Sequence, residues 1–236
     1  MLEVKDLVVS YGAVEAVRGV SLSAVPGAIT AIVGANGAGK SSLLRAITGL
    51  APIKSGQVTL DGKDITRVPT SKRAQMGLAH AMEGRRIFRQ LSVEENLRLA
   101  WKFGRRSNQW TDALDRVYRT FPILKDKRRS DAGLLSGGQQ QMLIVSAATI
   151  CEPPYLLLDE PSLGLAPIIV REIYAFFTER CREHGTTVLL AEQMAAMALN
   201  VSARGYVLRR GQVVHEGPTA DLVNSGLIAA LSSAYL

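Results

Sequence analysis

The stretch Gly34-Ala35-Asn36-Gly37-Ala38-Gly39-Lys40-Ser41 decides the fold. The apolar run 29–33 precedes it and predicts a short buried strand, while a helix is expected from Lys40 to about Gly49. The G-x-x-x-x-G-K-[ST] spacing, placed between a strand and a helix, is typical of a phosphate-binding loop. Glycines let successive backbone N–H groups curve around phosphate oxygens, and the positive end of the following helix adds to the attraction.

This spacing also predicts what the polar side chains of the loop do. Lys40 is expected to reach the β- and γ-phosphates of a nucleotide, and the Ser41 hydroxyl is expected to bind Mg²⁺. The spacing therefore predicts a bound nucleotide and Mg²⁺. The residues predicted to contact the nucleotide here are Gly34, Ala35, Asn36, Gly37, Ala38, Gly39, Lys40, Ser41 and Ser42.

A second motif, Tyr155-Leu-Leu-Leu-Asp-Glu160, is an apolar strand that ends in two adjacent carboxylates. Two acids at the tip of a buried strand are costly unless cations meet them. Asp159 suits a role as an Mg²⁺ ligand, directly or through water. Glu160, on the opposite side of the strand, is predicted to polarise an attacking water.

The rest of the chain alternates strands and helices around these motifs. Runs 2–10 and 17–25 predict strands, and run 56–60 followed by Asp61-Gly62 predicts a hairpin. Ser92 is expected to cap a helix that extends to about Trp101, and residues 112–121 predict another helix that Pro122 ends. Runs 155–158 and 187–191, separated by a helix across 168–181, indicate a parallel sheet. Residues 205–214 predict a closing hairpin before a helical tail after Pro218.

Composition excludes several classes of protein. The 236 residues are 47% hydrophobic and 21% charged, which is typical of a globular chain. Cys151 and Cys181 lie outside any CxxC or Cys/His cluster, so neither a disulfide framework nor a structural zinc site is expected. No apolar run approaches the length of a membrane span, and the charged first residues do not resemble a signal peptide. A cytosolic protein with reduced thiols is expected.

The net charge of +7 is unevenly distributed, because residues 67–129 hold 16 Lys and Arg against 6 Asp and Glu, a net of +10. A solvated helical face, an anionic membrane surface and a nucleic acid are the alternatives that explain it. Few aromatic residues lie among these charges, which disfavours the nucleic acid. The segment is interpreted as a helical insertion.

The motif Leu135-Ser136-Gly137-Gly138-Gln139, in the interval before the Asp159-Glu160 strand, makes the chain resemble the nucleotide-binding subunit of ATP-binding-cassette transporters. Ser136 can cap a helix over about 139–150, so that the glycine amides form a second anion site. The resemblance implies an α/β fold: a P-loop NTPase-type parallel-sheet core with an N-terminal antiparallel β subdomain and an α-helical insertion. It implies one domain over 1–236, with the helical subdomain at about 85–150. It further implies that Ser136, Gly137, Gly138 and Gln139 contact an ATP held by the phosphate loop of a second cassette.

Other positions follow or depart from that family's pattern. Tyr11 resembles the aromatic residue that stacks on adenine, and an exposed tyrosine at a strand end is the alternative. Gly164 replaces an Asp in the loop through which the two sites communicate. Glu83 stands where most cassettes have the Gln that touches Mg²⁺ and the membrane partner. Gln193 stands at the position of the switch His; its amide can donate to phosphate but cannot shuttle a proton. Glu160 and Gln193 are the predicted catalytic residues, and Ser41, Glu83 and Asp159 the predicted metal ligands.

These departures, with the motifs around Glu83, Ser92, Pro161 and Glu192, resemble the smaller cassette subunit of branched-chain amino acid importers. Ala81-Met82 and Arg89 differ from that pattern, in the loop that meets the membrane subunit. The resemblance implies a second ATPase subunit, identical or different, two transmembrane permease subunits and, indirectly, a periplasmic binding protein, with no nucleic acid. It places the chain at the cytoplasmic face of the inner membrane. A urea or amide importer, an exporter or lipid-extraction ATPase, and a soluble cassette acting on nucleic acid are the alternatives.

Overall fold

The computed structural model describes residues 1–84, 86–105 and 109–224. Its larger sheet has six strands, all parallel except the first edge strand. Their spatial order is β10 (Gln212–Pro218), β9 (Arg204–Arg209), β3 (Ile29–Val33), β8 (Thr187–Glu192), β7 (Tyr155–Asp159) and β6 (Leu78–Ala81). The central strands β3, β7 and β8 are buried at every residue, as expected for a parallel sheet covered on both faces.

A smaller antiparallel sheet is built mainly from the N-terminal part of the chain. Its strands lie in the order β2 (Val14–Ser23), β1 (Leu2–Tyr11), β4 (Ile53–Leu60) and β5 (Lys63–Asp64). Asp61 and Gly62 join the last two with φ values of 50° and 75°, the left-handed pair that a two-residue hairpin requires. The predicted antiparallel subdomain is thus confirmed.

Helices pack on the parallel sheet and form a separate group in the middle of the chain. The helices associated with the sheets are α1 (Lys40–Thr48), α2 (Thr70–Gln75), α7 (Pro167–His184), α8 (Ala195–Asn200) and α9 (Thr219–Asn224). Those of the middle segment are α3 (Val93–Phe103), α4 (Trp110–Thr120), α5 (Pro122–Asp126) and α6 (Gly137–Thr149). Ser92 and Ser136 each open their helix with a complete capping box. The boundary of a helical subdomain at 85–150 stays a prediction.

Two apolar cores lie on the two faces of the parallel sheet. Ala31 and Val33 of β3 face the core that includes α6 and α7, whereas Ile32 faces the core shared with α1 and the antiparallel sheet. This alternation is the period of two expected of a strand buried on both sides. It fixes the loop after β3 relative to both layers.

Three features differ from the sequence predictions. Pro122 does not merely end a helix: it is the first residue of α5, where its missing N–H costs nothing. Neither α2 nor β6 was predicted, because β6 is a four-residue strand whose pairing with β7 is distant in sequence. The helical tail after Pro218 is described only as far as Asn224. Among the described residues, no helix combines the length and apolarity that a membrane span requires.

Candidate nucleotide-binding site

The candidate site lies where neighbouring parallel strands end at their carboxyl edge. Strand pairing aligns Val33 with Glu192 and Asp159 with Ala191, so the loops after β3, β8 and β7 begin side by side. Loops at this edge of an open α/β sheet are where such folds bind ligands. The sheet order thus brings residues far apart in sequence to one place.

The glycine loop after β3 is held against the sheet by backbone contacts that exclude larger residues. A Cβ on Gly34 would lie 2.4 Å from the carbonyl oxygen of Leu208. Gly39 has a φ of 107°, and a Cβ there would lie 2.4 Å from the carbonyl oxygen of Ala16. Both positions require glycine for close backbone approach, and Gly39 also for its backbone conformation.

Several amides of this loop and of the first turn of α1 have no hydrogen-bond partner among the described residues. Gly39 caps α1 with no side-chain hydrogen bond. Within the described residues, the N–H groups of Gly37, Gly39, Lys40 and Ser41 donate to no backbone or side-chain acceptor. Unpaired amides at the positive end of a nine-residue helix form an anion site. A phosphate group fits this arrangement.

Lys40 is buried, and its ammonium group is fully engaged. Its Nζ donates to the carbonyl oxygens of Gly34 at 2.8 Å and Ala35 at 3.1 Å. It also forms an ion pair with Glu160 Oε1 at 3.0 Å, with only 3% and 6% of the two side chains exposed. The side chain that a phosphate would attract is therefore held by a carboxylate at the same site.

Ser41 and Asp159 meet at the other side of the loop. The Ser41 hydroxyl donates to Asp159 Oδ1 at 2.9 Å, while Asp159 Oδ2 is buried without a partner in the described chain. Burial raises the pKa of Asp159, the Ser41 hydrogen bond lowers it, and the charges of Glu83 and Glu160 raise it. A hydroxyl, an unpartnered carboxylate oxygen and nearby acids are the oxygen donors that Mg²⁺ takes, so these residues fit that ion.

Glu160 follows Asp159 with a left-handed φ of 50°, and its N–H donates to the carbonyl oxygen of Ala191 at 2.9 Å. A left-handed glutamate is a strained backbone that neighbouring structure must hold in place. The strand ends at Asp159, and the Glu160 carboxylate pairs with Lys40.

Glu192 is a buried residue of the site to which sequence reasoning gave no role. Its backbone carbonyl accepts from the Gly34 N–H at 3.3 Å. Its Oε1 accepts from the Ser162 N–H at 3.1 Å and from the Tyr174 hydroxyl at 2.7 Å. Burial raises the pKa of Glu192, and the hydrogen bonds from Ser162 and Tyr174 counteract this effect. A glutamate at the end of a buried strand was the only available signal.

The other predicted residues lie on several different elements. Gln193 directly follows Glu192 and is half-buried, which places it beside the start of the glycine loop. Glu83 lies two residues beyond the end of β6, near enough to raise the pKa of Asp159. Tyr11 ends β1 with 43% of its surface exposed. Ala35, Asn36, Ala38 and Ser42 belong to the loop and the first turn of α1.

The motif around Ser136 is not brought to the glycine loop. Ser136 Oγ accepts from the Gln139 N–H at 3.3 Å, and Gln139 Oε1 accepts from the Ser136 N–H at 3.0 Å. No hydrogen bond or ion pair between described residues joins 136–139 to 34–42. The amides of Gly137 and Gly138, at the N-terminus of the 13-residue helix α6, are thus available to a ligand held elsewhere.

Known proteins are similar to this chain over most of its length. Residues 17–163 match the ABC transporter family. The chain is 40% identical to the high-affinity branched-chain amino acid transport ATP-binding protein BraG of Pseudomonas aeruginosa, covering 95% of this chain and 96% of BraG. It is 37% identical to a probable branched-chain amino acid transport ATP-binding protein LivF of Archaeoglobus fulgidus, covering 83% and 82%. The chain is 30% identical to a lipopolysaccharide export system ATP-binding protein, LptB of Escherichia coli K12, covering 94% of this chain and 92% of LptB.

Solved structures show the same fold. An ATP-binding cassette of an ABC transporter in its ADP conformation superimposes with a TM-score of 0.83 and 25% identity, covering 98% of both chains. A nucleotide-free cassette from an ABC transporter gives a TM-score of 0.84 with 26% identity, covering 96% of this chain and 94% of that one. The fold therefore exists both with and without bound nucleotide.

Proposed function

The chain belongs to the ABC transporter family, and we propose that it is the ATP-hydrolysing subunit of an importer for branched-chain amino acids. The observation that carries the ATPase assignment is the meeting of Lys40, Ser41, Asp159 and Glu160 at one edge of the sheet. These four side chains include the phosphate-binding, metal-binding and water-polarising groups that phosphoryl transfer requires.

The Lys40–Glu160 ion pair gives the order of events. The triphosphate of ATP attracts Lys40, so binding draws its ammonium away from Glu160 Oε1. The freed carboxylate then polarises the attacking water, while the Gln193 amide orients the γ-phosphate. The unpaired amides of the loop hold the β- and γ-phosphates and stabilise charge in the transition state.

Ser41, Asp159 and Glu83 would hold Mg²⁺. When bound, the ion neutralises charge on the phosphate oxygens. Asp159 Oδ2, which has no partner within the described chain, and the Ser41 hydroxyl, which now donates to Asp159 Oδ1, would supply ligand oxygens. Tyr11, exposed at the end of β1, stacks on the adenine ring.

A complete site needs a second cassette. Ser136 and the amides of Gly137 and Gly138 lie apart from the glycine loop of their own chain, so they bind the γ-phosphate of an ATP held by another subunit. This partner is a second copy or a companion cassette. Two nucleotides then lie between the two subunits, and their hydrolysis releases the pair.

The membrane partner is a pair of permease subunits. A mostly apolar cavity of about 370 Å³ lies next to the Glu83 loop, lined in part by Met82, Phe88, Phe103 and Leu143. Phe88 is 62% exposed and Phe103 is 73% exposed. Because the loop that supplies Glu83 forms one wall, a permease segment seated there moves with the Mg²⁺ site. This position implies a peripheral location at the cytoplasmic membrane face, where the basic 67–129 segment meets anionic lipid.

The solute assignment rests on the BraG and LivF relatives. Branched-chain amino acids are delivered by a periplasmic binding protein, and the cassette itself does not touch them. Export of a lipid is the second candidate, since LptB also matches over most of the chain, but at lower identity.

Reconstitution of the chain with its companion cassette, the permeases and the binding protein in proteoliposomes tests both the transported solute and the direction of transport. Leucine, isoleucine or valine should drive ATP hydrolysis and accumulate in the lumen facing the cassette. Stimulation by urea or short amides instead would contradict the solute, and capture of a lipid-exporting permease would contradict import.

The variant Lys40→Ala tests nucleotide binding independently of the solute and of the direction of transport. Loss of one charge-assisted contact to phosphate should weaken ATP binding about 10- to 150-fold. Titration of the isolated chain with a fluorescent ATP analogue measures this, and Lys72→Ala, on the exposed side of α2, is the matched control. Equal affinity of both variants would refute the assigned role of Lys40.

A further inference from the structure

A small cavity outside the nucleotide site is lined by two arginines, each of which has buried N–H groups without an acceptor among the described residues. It measures about 30 Å³ and lies between α4, α6 and α7, with Arg116, Arg180 and Ser146 among its lining residues. None of these residues belongs to the glycine loop, the carboxylate strand or the 136–139 motif. The proposed ATPase mechanism therefore leaves the cavity unexplained.

Arg180 is the central group of this cavity. It is 8% exposed, yet its Nε and Nη2 are buried and have no hydrogen-bond partner among the described residues. Burial lowers the pKa of Arg180, but a guanidinium stays protonated at neutral pH. A buried cation with two unused donors is costly unless an anion meets it.

Two further unpaired donors lie on the neighbouring helices. Arg116 of α4 uses its Nε in an ion pair with Glu152 Oε1 at 3.3 Å, whereas its buried Nη2 is unpartnered. Ser146 of α6 is 1% exposed, and its Oγ is buried without a partner in the described chain. Serines inside helices commonly donate to the carbonyl four residues earlier, and this one does not.

The charges around the cavity determine what it can hold. Besides Cys181, the charged groups that act on Arg180 are Glu152 and Arg116. Burial raises the pKa of the Cys181 thiol to about 11, so it is neutral at pH 7. Among the described residues, these two guanidinium groups and one carboxylate leave one positive charge. The space is about twice what a single water needs and far below the size of a nucleotide.

We propose that this cavity, between Arg116, Ser146 and Arg180, is a binding site for one small monovalent inorganic anion of the chloride type. The anion accepts from Nε and Nη2 of Arg180, from Nη2 of Arg116 and from the Ser146 hydroxyl. It thereby joins α4 to α6 and α7, near the point where the rings of Phe121 and Phe176 pack 5.6 Å apart.

Thermal unfolding of the full chain in chloride and in gluconate, at equal ionic strength and without nucleotide, tests the proposal. Chloride should raise the Tm in a saturable manner, since a ligand that binds only the folded state stabilises it. Ser146→Ala should raise the half-saturating chloride concentration about tenfold or more, because chloride binding becomes weaker. Arg180→Gln should abolish the increase in Tm. Arg171→Gln, an exposed arginine on the same helix, is the matched control and should behave as wild type.

Crystals grown in bromide provide a direct second measurement. An anomalous peak between Arg116 and Arg180 in the wild type, absent in Ser146→Ala, supports the site. Absence of a peak in the wild type, or an equal chloride effect in wild type and Ser146→Ala, would overturn it. A Tm of the wild type that is equal in chloride and in gluconate would equally refute a monovalent halide-type ligand.

Discussion

Replacing Glu160 with Gln tests the ion pair at the nucleotide site and the proposed base together. The change keeps the size of the side chain and removes its charge. In the wild type, ATP must draw Lys40 away from a carboxylate 3.0 Å distant, with both side chains buried. In the variant that competition is weaker because the carboxylate charge is gone, so ATP binding should become tighter while hydrolysis slows.

The geometry gives the size of both effects. At 3.0 Å and an effective dielectric constant of 20, the Coulomb attraction is about 5.5 kcal/mol. Part of this attraction is offset, because phosphate replaces the carboxylate as the partner of Lys40 when ATP binds. In the variant, the Gln amide oxygen also still accepts from Lys40. The remainder approximates a hydrogen bond to a charged group, about 1.5–3 kcal/mol, or about 10- to 150-fold in the dissociation constant. Loss of a general base lowers turnover by about 10²- to 10⁴-fold.

Titration of the isolated chain with a fluorescent ATP analogue measures the first effect, and phosphate release by the assembled transporter measures the second. Glu172→Gln, an exposed glutamate on α7, makes the same charge change away from the site and should match the wild type. Unchanged affinity in Glu160→Gln would refute the competition by Glu160. Hydrolysis near the wild-type rate would refute its role as base.

Three further substitutions probe the site and its surroundings. Gln193→Ala should lower phosphate release by the assembled complex with little change in ATP affinity, and full activity would contradict its positioning role. Gly34→Ala should abolish ATP binding and lower the Tm, because the added Cβ would lie 2.4 Å from a backbone oxygen. Gly37→Ala, with no atom within 4 Å of the added Cβ and a φ of 77°, should lower the free energy of unfolding by only about 1–2 kcal/mol. Equal losses of stability in the two variants would contradict this. Burial and nearby arginines lower the pKa of His80 from 6.5 to about 4, so the folded chain binds fewer protons than the unfolded chain between these values. Stability should therefore fall by up to about 3 kcal/mol as the pH drops through this window, and His80→Gln should flatten that slope in urea unfolding while the exposed His215→Gln keeps it.

Local signals in the sequence predicted the parts of the fold that local chemistry controls. The strand before the glycine loop, the helix from Lys40 and the caps at Ser92 and Ser136 all depend on neighbours within four residues. The φ values of Asp61 and Gly62 likewise follow from the turn itself. Such elements are predictable because the interactions that form them are contained in one short window of sequence.

The missed features depend on contacts between distant segments. Strand β6 exists because it pairs with Tyr155–Asp159, and nothing in its four residues shows this. Arginines are expected at the surface, yet Arg73 and Arg180 are both buried. Arg73 donates to four backbone carbonyls and so holds α2 against the end of α1. A charge pattern does not distinguish such residues from solvated ones, because burial is decided by tertiary packing.

The buried Glu192 has a consequence for how substitutions around the site combine. Its carbonyl anchors Gly34 at the start of the phosphate loop, and its carboxylate anchors Ser162 just after the proposed base. Tyr174 supports the same carboxylate from α7. Mutations on these segments therefore share a partner, and their energetic effects are not independent. A double-mutant cycle between Tyr174→Phe and Gln193→Ala should reveal a coupling energy, because both residues act through Glu192; additive effects of the two variants would contradict this.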